Sequence, residues 1–145
     1  IDEGDYFIQL APQKDKQSKF WLSICTSRGQ YAKKASVTEG GNTVSVGDLM
    51  LGCYWHEIVE TKADGSVIYK RVCEEEQKCF SHNIIPDFKP EVEDLGVTRS
   101  GRVVKGSMGR LMLSAQQFAA ASVEAAEYAI KVDRAKACAR AANID

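Results

Sequence analysis

The chain lacks the features that would assign it to a membrane or to a secretory leader. None of its apolar runs approaches the roughly 18 consecutive residues of a membrane-spanning helix, so no membrane partner is expected. No basic stretch followed by an apolar one opens the sequence, so no signal peptide is expected in it. The formal net charge of −1 gives the molecule no overall field toward nucleic acid, and any basic surface has to be local.

Motifs of catalysis and of cofactor binding are also absent. The sequence holds no phosphate loop, nucleophile elbow, dinucleotide fingerprint or HExxH motif. His56 and His82 are the only ordinary general bases near neutral pH, and no motif pairs either of them with Cys25 or Cys79 as a nucleophile. We therefore expect a non-catalytic protein that needs no cofactor.

The cysteines are scattered along the chain rather than spaced as in a disulfide framework. The five positions are Cys25, Cys53, Cys73, Cys79 and Cys138. An odd number among apolar neighbours is typical of reduced thiols in an intracellular protein. Cys73 and Cys79 flank an acidic loop and could pair if the compartment were oxidising.

β-Branched and aromatic residues dominate the first half of the chain. Strands are predicted at 6–11, 19–26, 31–37, 44–60, 66–72 and 80–85. Gly47 and Gly52 interrupt the longest run and predict bulges or bends of the kind that curl a short sheet. The Asp64-Gly65 pair predicts a hairpin turn between residues 54–60 and 66–72.

Alanine dominates residues 114–142, where a long amphipathic helix is predicted. Apolar side chains recur there at steps of three and four: Phe118, Ala121, Ala125, Tyr128, Val132, Ala135 and Ala139. Ser114 is a good N-cap, and Gln117 three residues later predicts a capping box. Because the apolar stripe is made mostly of small residues, the helix is expected either to cover the sheet or to pair with another helix.

These patterns together predict an α+β fold, with a small curled antiparallel β-sheet or SH3-like barrel followed by one long C-terminal amphipathic helix. The predicted divisions are a β-rich module at 1–86, an extended basic connector at 87–113 and the helix at 114–142. The length suits one folded domain overall, with the helix outside the β-rich unit.

Aromatic residues in the predicted strands supply the candidate ligand site. Its members are Tyr6, Trp21, Tyr54, Trp55 and Tyr69. Aromatic rings at the rim of a small barrel can hold a methylated ammonium group by cation–π attraction. The alternative is that these rings are core residues and cross-strand pairs.

Short patterns around these aromatics resemble BAH and Tudor-like SH3-fold modules. The patterns are Gly4-Asp5-Tyr6, Phe20-Trp21-Leu22, Tyr54-Trp55-His56-Glu57, Gly65 and Tyr69. The resemblance covers residues 4–72 and does not extend to the C-terminal helix. It implies a small curled β-barrel that reads chromatin marks or scaffolds protein complexes without catalysis, and with it the nucleus as one candidate compartment.

Cysteine and histidine repeat one spacing, which raises a zinc alternative. Cys53 and His56 are three residues apart, as are Cys79 and His82, and thiolate and imidazole are zinc ligands. Residues three apart in a regular strand point to opposite faces, so the first pair converges only if Gly52 kinks the chain.

A basic segment raises a nucleic-acid alternative. Its residues are Arg99, Arg102, Lys105 and Arg110, in a stretch without acidic residues. Such a segment can contact phosphates nonspecifically, or it can be a solvated connector. A second cluster of Lys14, Lys16 and Lys19 would strengthen this alternative if both clusters lay on one face.

The sequence thus favours a module that binds another protein or a peptide. A structural subunit that self-associates through the Ala-rich helix is the second hypothesis. A nucleic-acid accessory protein is the third.

Overall fold

The computed structural model describes residues 1–11, 18–37, 43–72, 75–95 and 110–142. Within them, a curled seven-stranded antiparallel sheet and one C-terminal helix confirm the predicted α+β class. The elements are β1 (Tyr6–Leu10), β2 (Phe20–Tyr31), β3 (Ser36–Val37), β4 (Thr43–Val44), β5 (Leu49–Thr61), β6 (Val67–Arg71), β7 (Gln77–Phe80), a 3₁₀ turn (Ser81–Asn83), β8 (Glu93–Asp94), β9 (Leu111–Leu113) and α1 (Ala115–Ala142).

The main sheet has the order β1-β2-β5-β6-β9-β8, and β3 and β4 form a separate pair. The long strand β5 pairs with β2 and β7 through its first half and with β6 through its second. The register between β2 and β5 shifts between Cys25 and Ser27, opposite Gly52. A Cβ atom at Gly52 would lie 2.1 Å from the Ser27 Oγ, so a larger residue there would force the neighbouring side chains to move. The predicted bend near Gly52 therefore has a physical basis.

The hairpin of β5 and β6 confirms the prediction made from the Asp64-Gly65 pair. Gly65 has a φ of 90°, which glycine adopts without steric cost. The Ser66 N–H donates to the Asp64 Oδ1 at 2.9 Å, and the Lys62 N–H donates to the Ser66 carbonyl at 2.8 Å. Both ends of the turn are thus held by hydrogen bonds.

Two strand predictions are wrong. β2 continues to Tyr31, so the strand predicted at 31–37 shrinks to Ser36–Val37. The strand predicted at 80–85 lies earlier, at Gln77–Phe80, because those residues pair with the first half of β5. Ser81–Asn83 then turns the chain, and the following residues return to the edge of β1.

The predicted connector at 87–113 contributes to the sheet at both of its ends. β9 pairs with β6, and β8 pairs with β9. Leu111 and Leu113 are fully buried. Three residues are too few for a periodic pattern, which is why the sequence did not reveal this strand.

Alternate residues of the sheet face two different cores. One face, the helix face, carries Ile8, Phe20, Leu22, Val67, Tyr69, Leu111 and Leu113, which pack with Ala121 and Ala125 of α1. The other, the thiol face, carries Phe7, Cys25, Leu51, Cys53 and Cys79, which pack with Ile84. The strands are therefore buried on both sides over much of their length.

The first half of α1 belongs to the core, so the expectation that the helix lies outside the β-rich unit is wrong. Ala121 and Ala125 are fully buried, and the ring centroids of Phe118 and Phe20 are 5.6 Å apart. Small alanines allow this close approach. From residue 133 to residue 138 every side chain is exposed, so the second half of the helix projects from the sheet.

The predicted capping box is half formed. The Ser114 Oγ accepts a hydrogen bond from the Gln117 N–H at 3.1 Å, as an N-cap should. The Gln117 side chain does not reach back, because its Oε1 accepts from the Glu91 N–H at 3.0 Å. The helix start is thereby tied to the segment that leads into β8.

The turn at Gly65 also supports the start of α1, and this can be tested. A Cβ atom at Gly65 would lie 2.9 Å from the Ala115 Cβ, whereas one at Gly47 would meet nothing within 4 Å. Both glycines have positive φ, so an alanine at either should cost about 1 kcal/mol of unfolding free energy. We expect Gly65→Ala to cost roughly 1 kcal/mol more than Gly47→Ala in urea unfolding, because the helix start must move. Equal losses would contradict this contact.

Candidate ligand-binding site

The five aromatic residues of the predicted site lie on both faces of the sheet and do not form one cage. Tyr6 and Tyr54 both pair with Ile24, and Tyr69 packs with the helix-face core. Side chains an odd number of residues apart point to opposite faces of a strand. Trp21 and Trp55 therefore lie on the thiol face, because Trp21 is an odd number of residues from Ile24 along β2 and Trp55 is next to Tyr54 along β5. The strand register alone separates the two groups.

Tyr69 is a core residue. It is 1% exposed, and its hydroxyl has no hydrogen-bond partner among the described residues. Burial raises the pKa of this phenol far above its ordinary value. A ligand at the surface cannot reach it without opening the core.

Tyr54 already holds a cation from its own chain. The Arg71 guanidinium carbon lies 3.9 Å from the centroid of the Tyr54 ring. This distance is well within the range of cation–π attraction. An external ammonium group would have to displace Arg71 from this ring.

Trp21 and Trp55 form a packed pair. Their ring centroids are 4.6 Å apart at an angle of 42°, and both side chains are half-buried. The Trp55 indole N–H is buried and has no partner among the described residues. The pair is an apolar surface of the thiol face, whereas Tyr6 packs on the helix face.

Tyr6 lines a cavity. Its hydroxyl donates to the Asp94 Oδ2 at 3.5 Å, which links β1 with β8 at the other end of the strand order. Burial, followed by the charge of Asp94, raises the pKa of Tyr6. The side chain is thus held in place at the rim of the curled sheet.

The cavity measures about 460 Å³ and lies between residues 5–7 and residues 84–89. Its lining combines the aromatic rings of Tyr6, Phe7 and Phe88 with the charged groups of Asp5, Asp87 and Lys89. We call this cavity the edge pocket.

Two residues that break regular structure create the edge pocket. The Ile85 N–H donates to the Ile8 carbonyl at 3.0 Å, so this segment begins to pair with β1. Pro86 then has no N–H to donate, and Asp87 adopts a φ of 63°, which turns the chain away. The prediction of the site missed residues 84–89, although the Pro86-Asp87 pair was the available signal.

The zinc alternative does not fit the geometry. Cys53 faces the thiol core, whereas His56 is paired with Leu22 on the helix face. Cys79 lies beside Cys53, but His82 is exposed on the 3₁₀ turn. Among the described residues no group of three or more His, Cys, Asp or Glu side chains could hold a metal ion.

Three cysteines form a buried thiol cluster. Cys25 stands opposite Cys53, and Cys79 stands opposite Leu51 on the neighbouring strand. Burial raises the pKa of Cys25, and a hydrogen bond with Cys53 together with burial raises that of Cys79. These are free thiols that pack as small apolar residues. Cys73, the predicted partner of Cys79 in an oxidising compartment, lies outside the described residues.

His56 is buried and neutral. Its Nδ1 lies 3.1 Å from the Leu22 carbonyl oxygen and must carry the proton, because a carbonyl only accepts. Burial lowers the pKa of His56 from 6.5 to about 4, although the bond to Leu22 partly opposes this, and Arg71 lowers it further. Cys25 and Cys79 lie on the other face, so neither can form a nucleophile pair with His56.

Most of the basic residues of the nucleic-acid alternative lie outside the described residues. Arg99, Arg102 and Lys105 lie outside the described residues, as do Lys14 and Lys16. Arg110 and Lys19 are exposed. The nucleic-acid alternative therefore stays a prediction.

Comparison with known proteins gives no match: no family model, no curated protein and no solved structure matches this chain. The resemblance to BAH and Tudor-like modules stays a prediction. Across the described ranges, no helix has both the length and the apolar character needed to cross a membrane.

The buried His56 predicts a specific loss of stability in acid. Between pH 6.5 and about 4 the unfolded chain protonates this residue and the folded chain does not, so the free energy of unfolding falls as the pH is lowered through this window. The full loss is roughly 3 kcal/mol, and most of it occurs below pH 6.5. Urea unfolding at pH 7 and pH 4.5 measures the difference.

The matched variant is His56→Gln, which keeps an N–H donor for the Leu22 carbonyl and does not titrate. We expect a weaker pH dependence in this variant than in the wild type. His82→Gln, at an exposed position, serves as the control and should behave like the wild type. If all three proteins lost stability in parallel, His56 would not be the cause.

Proposed function

We propose that this chain is a non-catalytic protein-interaction module that binds a segment of another protein in the edge pocket. The observation that carries the proposal is the composition of this pocket, where aromatic rings and charged groups line one cavity of about 460 Å³. Such a mixture suits recognition of peptide side chains, since the rings supply contact area and the charges supply orientation.

The position of the pocket on the sheet supports the same proposal. Phe7 is buried in the thiol-face core, and Ile85 is buried in the helix-face core. Both walls are therefore anchored by packing rather than carried on a free loop. A preformed wall costs little ordering free energy when a ligand binds, which favours useful affinity from a short peptide.

The charge of the pocket favours a cationic side chain. Among the lining side chains, Asp5 and Asp87 supply two carboxylates and Lys89 supplies one ammonium. Tyr6 and Phe88 offer rings close to these carboxylates, whereas the ring of Tyr54 is covered by Arg71. A finer form of the proposal is recognition of a methylated ammonium group, as the resemblance to chromatin readers implies.

Peptide selection tests the proposed function. A phage library of random peptides, selected on the purified chain, should yield binders whose nuclear magnetic resonance shift changes map to residues 5–7 and 84–89. Phe88→Ala should weaken the selected peptides by about tenfold or more, because it removes an aromatic wall of the pocket.

Trp21→Ala is the matched control, since it truncates an equally half-buried ring on the other face. Circular dichroism melting of both variants separates a loss of binding from a loss of folding. If Trp21→Ala weakened binding and Phe88→Ala did not, the site would be the Trp21–Trp55 surface and the edge pocket would be the wrong assignment. No selected peptide at all would remove the proposal.

A second candidate function is self-association through α1. Val123 is 56% exposed and Ile130 is 51% exposed, and the two residues are seven positions apart on the outer side of the helix. A spacing of seven places both side chains on one seam, as in helix pairs. The exposed end of the helix, from residue 133, leaves room for a partner helix.

Sedimentation velocity tests this second candidate. The wild type should form dimers as its concentration is raised, and Val123→Glu with Ile130→Glu should stay monomeric because two charges would be buried at the seam. Lys131→Glu, at an exposed polar position next to the seam, should still dimerise. A wild type that is monomeric throughout would reject self-association.

A further inference from the structure

We infer that the occupant of the edge pocket is an extended basic peptide that adds to β1 as an extra strand and pairs with the backbone of Tyr6. This inference rests on the proposed function and names the ligand class and its binding mode.

The backbone N–H and C=O groups of β1 point alternately toward β2 and away from it. The Cys25 N–H donates to the Asp5 carbonyl at 2.9 Å, and the Ala11 N–H donates to the Lys19 carbonyl at 3.1 Å. Odd-numbered residues of this segment therefore hydrogen-bond with β2. Because backbone groups alternate in an antiparallel pair, the even-numbered residues direct their N–H and C=O groups away from β2. The Ile8 carbonyl fits this pattern, since it accepts from the Ile85 N–H.

The chain's own partner for this edge ends just before Tyr6. In the antiparallel register that places Ile85 opposite Ile8, residue 87 would stand opposite Tyr6. Asp87 cannot take that place, because its φ of 63° and the preceding Pro86 turn the chain away. Among the described residues no backbone group pairs with the outward N–H and C=O of Tyr6.

The edge pocket lies at this unfinished part of the edge, since residues 5–7 form one of its walls. An exposed edge with unpaired N–H and C=O groups is a template for a further strand. Peptide recognition by strand addition uses such an edge, with main-chain hydrogen bonds for affinity and side-chain pockets for specificity.

The rim of the pocket selects the charge of the peptide. Asp5 and Asp87 border the site from both walls, and Asp94 lies next to the Tyr6 hydroxyl. Lys89 is the one basic side chain that lines the described pocket. A lysine or arginine beside apolar residues therefore suits the site better than an acidic sequence, which would face like charges.

N-methyl scanning of a selected peptide tests the strand pairing. Each backbone N–H of the peptide is methylated in turn, and binding to the intact chain is measured by fluorescence anisotropy. Strand addition predicts that affinity falls by about fivefold to tenfold at alternate positions over the paired part of the peptide and is little changed at those between. A peptide that is sensitive to Phe88→Ala but shows no alternation would overturn this inference and leave the proposed function intact.

Removal of one carboxylate tests the charge preference. Asp87→Asn keeps a residue that tolerates positive φ while it neutralises the rim. It should weaken a lysine-containing peptide by about threefold to tenfold and leave a version with norleucine in place of lysine unaffected. Asp133→Asn, at an exposed position on α1, is the control. Equal affinity of the wild type and Asp87→Asn for the lysine peptide would overturn the assignment of a basic ligand.

Discussion

The pairing of β2 with β5 is the constraint on which the rest of the structure depends. Both strands are covered on two faces, and their register sets which side chain enters which core. A slip of one residue would exchange the faces and place His56 among the thiols. The neutral state of His56 and its separation from the cysteines are therefore consequences of one register.

The proposed function is assigned to the open edge of the sheet. An open strand edge invites association, and proteins usually cover it with another part of the chain. Here residues 84 and 85 cover β1 only as far as Ile8. The pocket follows from this partial cover, since the chain leaves the edge at Pro86 while the walls stay packed against both cores.

The two halves of α1 differ in what they contact. Its first half completes the helix-face core through alanines that permit close approach, and its start is tied to residue 91 and to the turn at Gly65. Its second half contacts little of the sheet. Core packing uses the inner side of the first half of α1, whereas the seam of Val123 and Ile130 lies on the outer side of the helix.

Local patterns in the sequence determined the β5–β6 hairpin, the N-cap at Ser114, the irregularity near Gly52 and the α+β class. Each depends on neighbours a few residues apart, so the information lies in short stretches of sequence. Tertiary structure alone decided which aromatic residues meet. Tyr69 became core, Tyr54 received Arg71, and Trp21 and Trp55 went to the other face. These outcomes depend on strand register and on the short strands β8 and β9, whose pairing joins residues far apart in the chain and leaves no periodic signal in the sequence.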